Sequence, residues 1–239
     1  MALRFTSTKD ARSDAVRVLV HGPSDAGKTR LCQTLPHSET LIISAEGGLL
    51  SLRDVDISTI EITTLDDVAE AYRFVTESED AKHFNWIALD SITEIGERVL
   101  SVEKGRASDP RQAYGALIDH MGHLVRSFRD LPGRNVYMSC KQERVRDDVS
   151  GAMLYGPSMP GAKLGAALPF WFDEVFALRC HTDKDGKISR ALQTRSDAQY
   201  VAKDRSGSLD RYEDADLSLI MRKIKSGEVA ADLATPSSD

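Results

Sequence analysis

Residues 22–29 read Gly-Pro-Ser-Asp-Ala-Gly-Lys-Thr, a G-x-x-x-x-G-K-T run that follows the apolar stretch Val16–Val20. The order demands a strand, a tight loop and a helix start, because successive backbone N–H groups must turn inward around an anion. Gly22 and Gly27 allow the backbone to curl, Lys28 adds a point charge near the outer phosphates, and Thr29 offers a hydroxyl to Mg²⁺. Pro23, Ser24, Asp25, Ala26 and Arg30 complete the segment that would wrap the phosphates. A helix expected from Thr29 to about Leu35 would aim its positive end at the same anion. The expected ligands are a nucleoside triphosphate and Mg²⁺, and the loop alone does not choose between a kinase, a GTPase-like switch and an ATP-driven motor.

A length of 239 residues suits one large domain. We expect it over residues 15–225, between a flexible N-terminus (1–14) and a flexible tail (226–239). No apolar run approaches membrane-spanning length and the first residues are polar, so the expected setting is the cytoplasm with no membrane contact. Cys32, Cys140 and Cys180 are odd in number and widely spaced, which predicts buried thiols rather than a disulfide or zinc framework. The net charge of −6 excludes a protein that grips nucleic acid with its whole surface. Any such contact must come from a local basic face.

Strand and helix patterns alternate along the chain. Thr40–Ser44, Ser58–Thr63, Phe84–Leu89, Asn135–Ser139, Asp173–Leu178 and Ile188–Gln193 read as strands. Leu65–Val75, about Arg111–Leu131 and Leu217–Lys225 read as amphipathic helices, the second ended by Pro132-Gly133. The last two strands are joined by Asp183-Lys184-Asp185-Gly186 and predict a hairpin. Glu143–Gly165 shows no periodicity and reads as a long loop. Phe170-Trp171-Phe172, just before a strand, reads as core. The alternation predicts an α/β fold with a mostly parallel central sheet flanked by helices and a C-terminal β-hairpin extension.

Trp86-Ile87-Ala88-Leu89-Asp90 is an apolar strand ending in an acid, which puts Asp90 beside the magnesium; capping of the next helix is the plainer alternative. Ser91 follows where many ATP-driven machines carry a glutamate, so a general base must come from elsewhere. Glu46 opens the turn Glu46-Gly47-Gly48 after a strand, and in a parallel sheet such ends converge on the ligand crevice. Glu94, one helical turn after Asp90, is the reserve.

The phosphate loop, Ala45-Glu46-Gly47-Gly48-Leu49-Leu50-Ser51-Leu52, Asp90-Ser91-Ile92-Thr93-Glu94, Ser139-Cys140-Lys141, Pro160-Gly161-Ala162-Lys163 and Ala202-Lys203-Asp204-Arg205-Ser206-Gly207 occur in that order. Over about residues 15–211 this resembles a RecA-like P-loop ATPase core. More narrowly it resembles the phage nucleotide-binding ATPases, which include single-strand annealing proteins of phage recombination, the fourth Sak group. The resemblance implies a homo-oligomer, filament or ring, with nucleotide between subunits and Lys203 or Arg205 acting on a neighbour's γ-phosphate. It implies γ-phosphate sensing by Ser139 and Lys141, and host cytoplasm for a phage-encoded protein. It also implies single-stranded DNA as partner, together with a single-strand DNA-binding protein.

RecA-like proteins carry two mobile DNA-binding loops, and two segments of this chain match them by position. One is Glu103–Arg111, with Lys104, Arg106 and Arg111; the other is Glu143–Gly165, with Arg144, Arg146, Tyr155 and Lys163. Cations and an aromatic on flexible backbone are what sequence-tolerant single-strand binding requires. Val125–Arg146 carries six Lys/Arg against two acids, enough for a local basic face. Two other classes stay open: a small-molecule P-loop kinase, with Arg144 and Arg146 in a lid, and a nucleotide-gated binding module with negligible turnover.

Overall fold

A computed structural model of the chain describes residues 15–47, 49–146, 151–228 and 230. The expectations for 1–14, for Gly48 and for most of the tail lie outside these residues. In chain order the elements are β1 (Arg17–His21), β2 (Thr40–Ser44), β3 (Ser58–Glu61), α1 (Leu65–Glu77), β4 (Trp86–Asp90), α2 (Ile92–Arg106), α3 (Pro110–Arg129), β5 (Asn135–Arg146), β6 (Met153–Ser158), α4 (Ala162–Trp171), β7 (Glu174–Thr182), β8 (Ile188–Gln193), β9 (Lys203–Asp204), β10 (Tyr212–Asp214) and α5 (Leu217–Ser226). The sheet runs β10-β8-β7-β1-β5-β4-β2-β3. Every pairing from β7 to β3 is parallel, and β8, β9 and β10 add antiparallel to it.

Both faces of the central strands are covered, so the strands are apolar throughout and their alternate residues feed two cores. Leu19, Ile43, Leu89 and Met138 face the helices α1 to α4. Val18, Val20, Ile42, Trp86 and Tyr137 face the other layer, where Leu31, Leu217 and Ile220 cover them. Helix starts are set by local chemistry. Thr64 and Asp67 form a reciprocal cap on α1, and Asp109 caps α3 with Pro110 in its first turn. Such a cap contributes about 1 kcal/mol.

Several expectations need correction. The segment after the loop is a 3-10 rather than an α-helix, Thr29–Thr34, and it ends where Pro36 holds Leu35 in extended dihedrals (φ −86, ψ 159). Glu103–Arg111 is not a long loop: α2 runs to Arg106 and α3 begins at Pro110. Glu143–Gly165 is not one either. β5 continues to Arg146 and pairs antiparallel with β6 from Lys141↔Ser158 to Arg146↔Met153, and α4 follows. Gly165 permits this, since a Cβ there would stand 2.8 Å from the Pro157 carbonyl. Phe172 is buried as expected, but Phe170 is 82% exposed. Cys32 and Cys140 are buried and Cys180 is exposed. Gly227 closes α5 in the left-handed region, and the Ala230 amide donates to the Gly207 carbonyl.

Candidate nucleotide site

The loop leaves β1 at His21. Gly27 has φ +99 and Asp25 φ 62, so the turn is built on two positive dihedrals. Gly22 has a different task from the one expected. Its φ is not positive, but a Cβ there would stand 3.3 Å from the Leu178 Cβ of β7, so its smallness serves close packing. Lys28 folds back on its own loop, donating to the carbonyls of Gly22 (3.0 Å) and Pro23 (2.9 Å). From beneath, the buried Tyr137 hydroxyl donates to the Lys28 carbonyl at 2.8 Å. Burial, with nearby acidic groups, holds that phenol well above its usual range. Arg30 turns away from the loop to Ser51 and Asp54.

Asp90 ends β4, two strands from β1 with β5 between them. Thr29 Oγ1 donates to its Oδ2 at 2.5 Å, and Ser139 on β5 donates to its Oδ1. A hydroxyl and a carboxylate are the hard oxygen donors Mg²⁺ takes, with phosphates and water completing its octahedron. The residues therefore fit that ion. Glu46 accepts from the Ser91 hydroxyl, and the Ala45 amide donates to the Asp90 carbonyl at 2.8 Å. Glu46 is thus held beside the Thr29–Asp90 pair. Ser44, in register with Asp90, has a buried hydroxyl without a partner among the described residues. Glu94 and Glu97 both pair with Lys141. The hydrogen bond that Lys141 donates to Glu94 is the main reason its pKa is raised.

His21 joins the loop to the β5–β6 hairpin. Its Nε2 lies 2.7 Å from the Val201 carbonyl and Nδ1 lies 3.2 Å from the Gln142 side-chain amide. Burial pushes its pKa down to about 4. A neutral ring that donates from Nε2 can only accept at Nδ1, so the complementary arrangement turns the Gln142 NH₂ toward it. Val201 in turn donates its amide to Tyr155 on β6. Tyr155 stacks on Tyr200 at 4.9 Å, Arg144 lies 5.7 Å from the Tyr155 centroid, and Arg179 lies 3.7 Å from that of Tyr200. Sequence reasoning missed Tyr200, Arg179, His21 and Gln142. Only the tertiary fold brings them to this ladder.

Lys104, Arg106 and Arg111 sit at the α2–α3 junction, all exposed. Arg111, Tyr114 and Lys163 line one groove of about 550 Å³, with Lys104 5.8 Å from the Tyr114 ring. Elements from both expected loop regions therefore meet there, while Arg144 and Arg146 stand on the hairpin. The basic face read from Val125–Arg146 is largely spent on structure. Arg126 stacks on Trp171, Arg129 pairs with Asp130, Arg134 donates to Ala81 and Phe84, and Lys141 is bound as above. Lys203 and Arg205 do not approach this chain's own loop. Lys203 donates to the Pro169 carbonyl and Arg205 pairs with Asp173 at 2.8 Å, at the end of β7 farther from it.

A phosphate loop whose threonine meets an aspartate two strands away, on a mostly parallel sheet covered on both faces, defines a P-loop ATPase core. The chain belongs to the family described as the AAA domain, which matches residues 14–206. A search of curated proteins finds no match. Among solved structures, a KaiC-like protein from the hyperthermophilic archaeon Pyrococcus horikoshii is similar at a TM-score of 0.42 and 14% identity, covering 76% of this chain and 78% of that one. Among the described residues no helix is long and apolar enough to cross a membrane.

Proposed function

We propose that this protein is an ATP-hydrolysing, RecA-like recombination ATPase that binds single-stranded DNA and promotes annealing as a homo-oligomer. The observation that carries the reading is the His21 bridge. The residue immediately before the phosphate loop bonds to Gln142 at the foot of the β5–β6 hairpin and to the Val201 backbone that holds Tyr155. Nucleotide state at the loop thereby biases a surface of cations and stacked rings, the chemistry that single strands use without sequence preference.

In this reading the loop amides and Lys28 bind the triphosphate, and Lys28 swings from the Gly22 and Pro23 carbonyls to the phosphate oxygens. Mg²⁺, held through Thr29 and Asp90, would neutralise charge on the outer phosphates. Glu46 orients the water that attacks the γ-phosphorus, with ADP leaving in line. Ser139 acts through Asp90 by fixing that carboxylate, and Lys141 is a weaker sensor because Glu94 and Glu97 bind it. Lys203 or Arg205 would reach a neighbouring copy's γ-phosphate, a role compatible with their distance from their own loop. The kinase reading expects the loop strand and the acidic strand side by side, whereas β5 separates them. The test is binding of a labelled single strand with ATP, with ADP and without nucleotide, together with annealing of complementary strands. Affinity that follows nucleotide state supports the proposal; affinity indifferent to nucleotide, or absent, contradicts it.

A further inference from the structure

Arg190 lies on β8 in register with Cys180 of β7, and β7 pairs with β1. β8 therefore stands two strands from the loop's parent strand on the side opposite Asp90. From there the side chain reaches back over the loop. Its Nε donates to the Ala26 carbonyl at 2.8 Å. A Cβ on Gly27 would stand 3.0 Å from Nε, 3.4 Å from Cδ and 3.7 Å from the central guanidinium carbon. The guanidinium thus lies on the loop backbone itself. Its Nη1 and Nη2 have no protein hydrogen-bond partner among the described residues, whereas Arg30 is committed to Ser51 and Asp54.

We propose that Arg190 is a nucleotide-binding residue that grips the α-phosphate and sugar end of the bound nucleoside triphosphate. The inference rests on reading the loop as a nucleotide site. Thr29, Asp90 and Glu46 define where the terminal phosphate sits, toward β4. A polyphosphate chain laid across the loop must then leave with its nucleoside toward β7 and β8, where the open edge of Arg190 waits. A planar fork of N–H donors suits phosphate oxygens and sugar hydroxyls, and its rigidity costs little on binding.

The experiment uses the full chain with Arg190→Ala and Arg190→Lys, measuring ATP and ADP affinity by calorimetry, steady-state turnover and nucleotide-free Tm. Removing a charge-assisted hydrogen bond should weaken ATP and ADP alike by about tenfold, with kcat at saturating ATP within about twofold of wild type. Lysine should restore part of the affinity, and the nucleotide-free Tm should hold. Equal affinities in wild type and Arg190→Ala would overturn the proposal. So would a weakening confined to ATP with a fall in kcat, which would place the residue at the γ-phosphate, or a lowered nucleotide-free Tm with no rescue by lysine, which would make it a brace. Wild-type protein that binds neither nucleotide would overturn both this inference and the reading beneath it, a result visible before any variant is made.

Discussion

Thr29 Oγ1 and Asp90 Oδ2 stand 2.5 Å apart, joining the end of the phosphate loop to a strand that is not its neighbour. The hydroxyl donates to the carboxylate, and both oxygens would serve Mg²⁺ if that ion bound here. Asp90→Asn should therefore lower Mg²⁺-dependent ATP turnover by about a hundredfold or more. ATP binding in the presence of a chelator should persist. Turnover close to wild type in this variant would remove Asp90 from the metal site.

Glu46 is held by the Ser91 hydroxyl at the mouth of the crevice. As the proposed general base it should affect the chemical step alone, so Glu46→Gln is expected to reduce kcat by about 10²–10⁴-fold with KM little changed. Ser91→Ala should have a smaller effect, because it loosens the carboxylate without deleting it. A normal kcat in Glu46→Gln would send the search to Glu94, which would first have to leave Lys141.

The two cationic surfaces make separable predictions. Replacing Arg144 and Arg146 with alanine should weaken single-strand binding and reduce the slope of log K against log salt by about 0.7 for each phosphate no longer neutralised. Tyr155→Ala should cost about 1–3 kcal/mol by removing a stacked ring. Neutralising Lys104, Arg106, Arg111 and Lys163 tests the groove beside Tyr114 in the same assay. Whichever set leaves affinity and salt slope unchanged is ordinary solvated surface.

Glu174 is buried in β7, with its carboxyl pushed up from 4.5 to about 8, first by desolvation and then by Asp204. The folded state holds this proton more tightly than the unfolded chain, so the contribution is fully present below about pH 4.5 and is lost as pH rises to about 8. Glu174→Gln mimics the protonated form and should gain on wild type with rising pH across that window. A relative Tm gain of about 2–4 °C for each kcal/mol is the expected scale. A Tm difference that stays flat from pH 5 to about 8 would contradict the shift.

What the sequence disclosed was mostly local. The loop, the strand Trp86–Asp90 and the helix at Pro110–Arg129 are each written in contiguous residues, by motif, apolar run or 3.6-residue spacing. The β5–β6 hairpin was hidden because Gly156 and Pro157, turn formers by habit, lie inside a strand. Arg190 was hidden for a different reason. It meets Ala26 across 164 positions, through a hairpin whose register no local pattern encodes. The charge cluster at Val125–Arg146 misled because composition cannot tell a solvated arginine from one spent on Trp171 or the Phe84 carbonyl. Lys203 and Arg205 carry a motif whose proposed target lies on another copy of the chain.

Steady-state ATP hydrolysis with and without single-stranded DNA, with Lys28→Ala as the blank, tests the central claim most directly. The account predicts measurable turnover that single-stranded DNA stimulates and that Lys28→Ala abolishes. Turnover indifferent to DNA, or equal in wild type and Lys28→Ala, would contradict it.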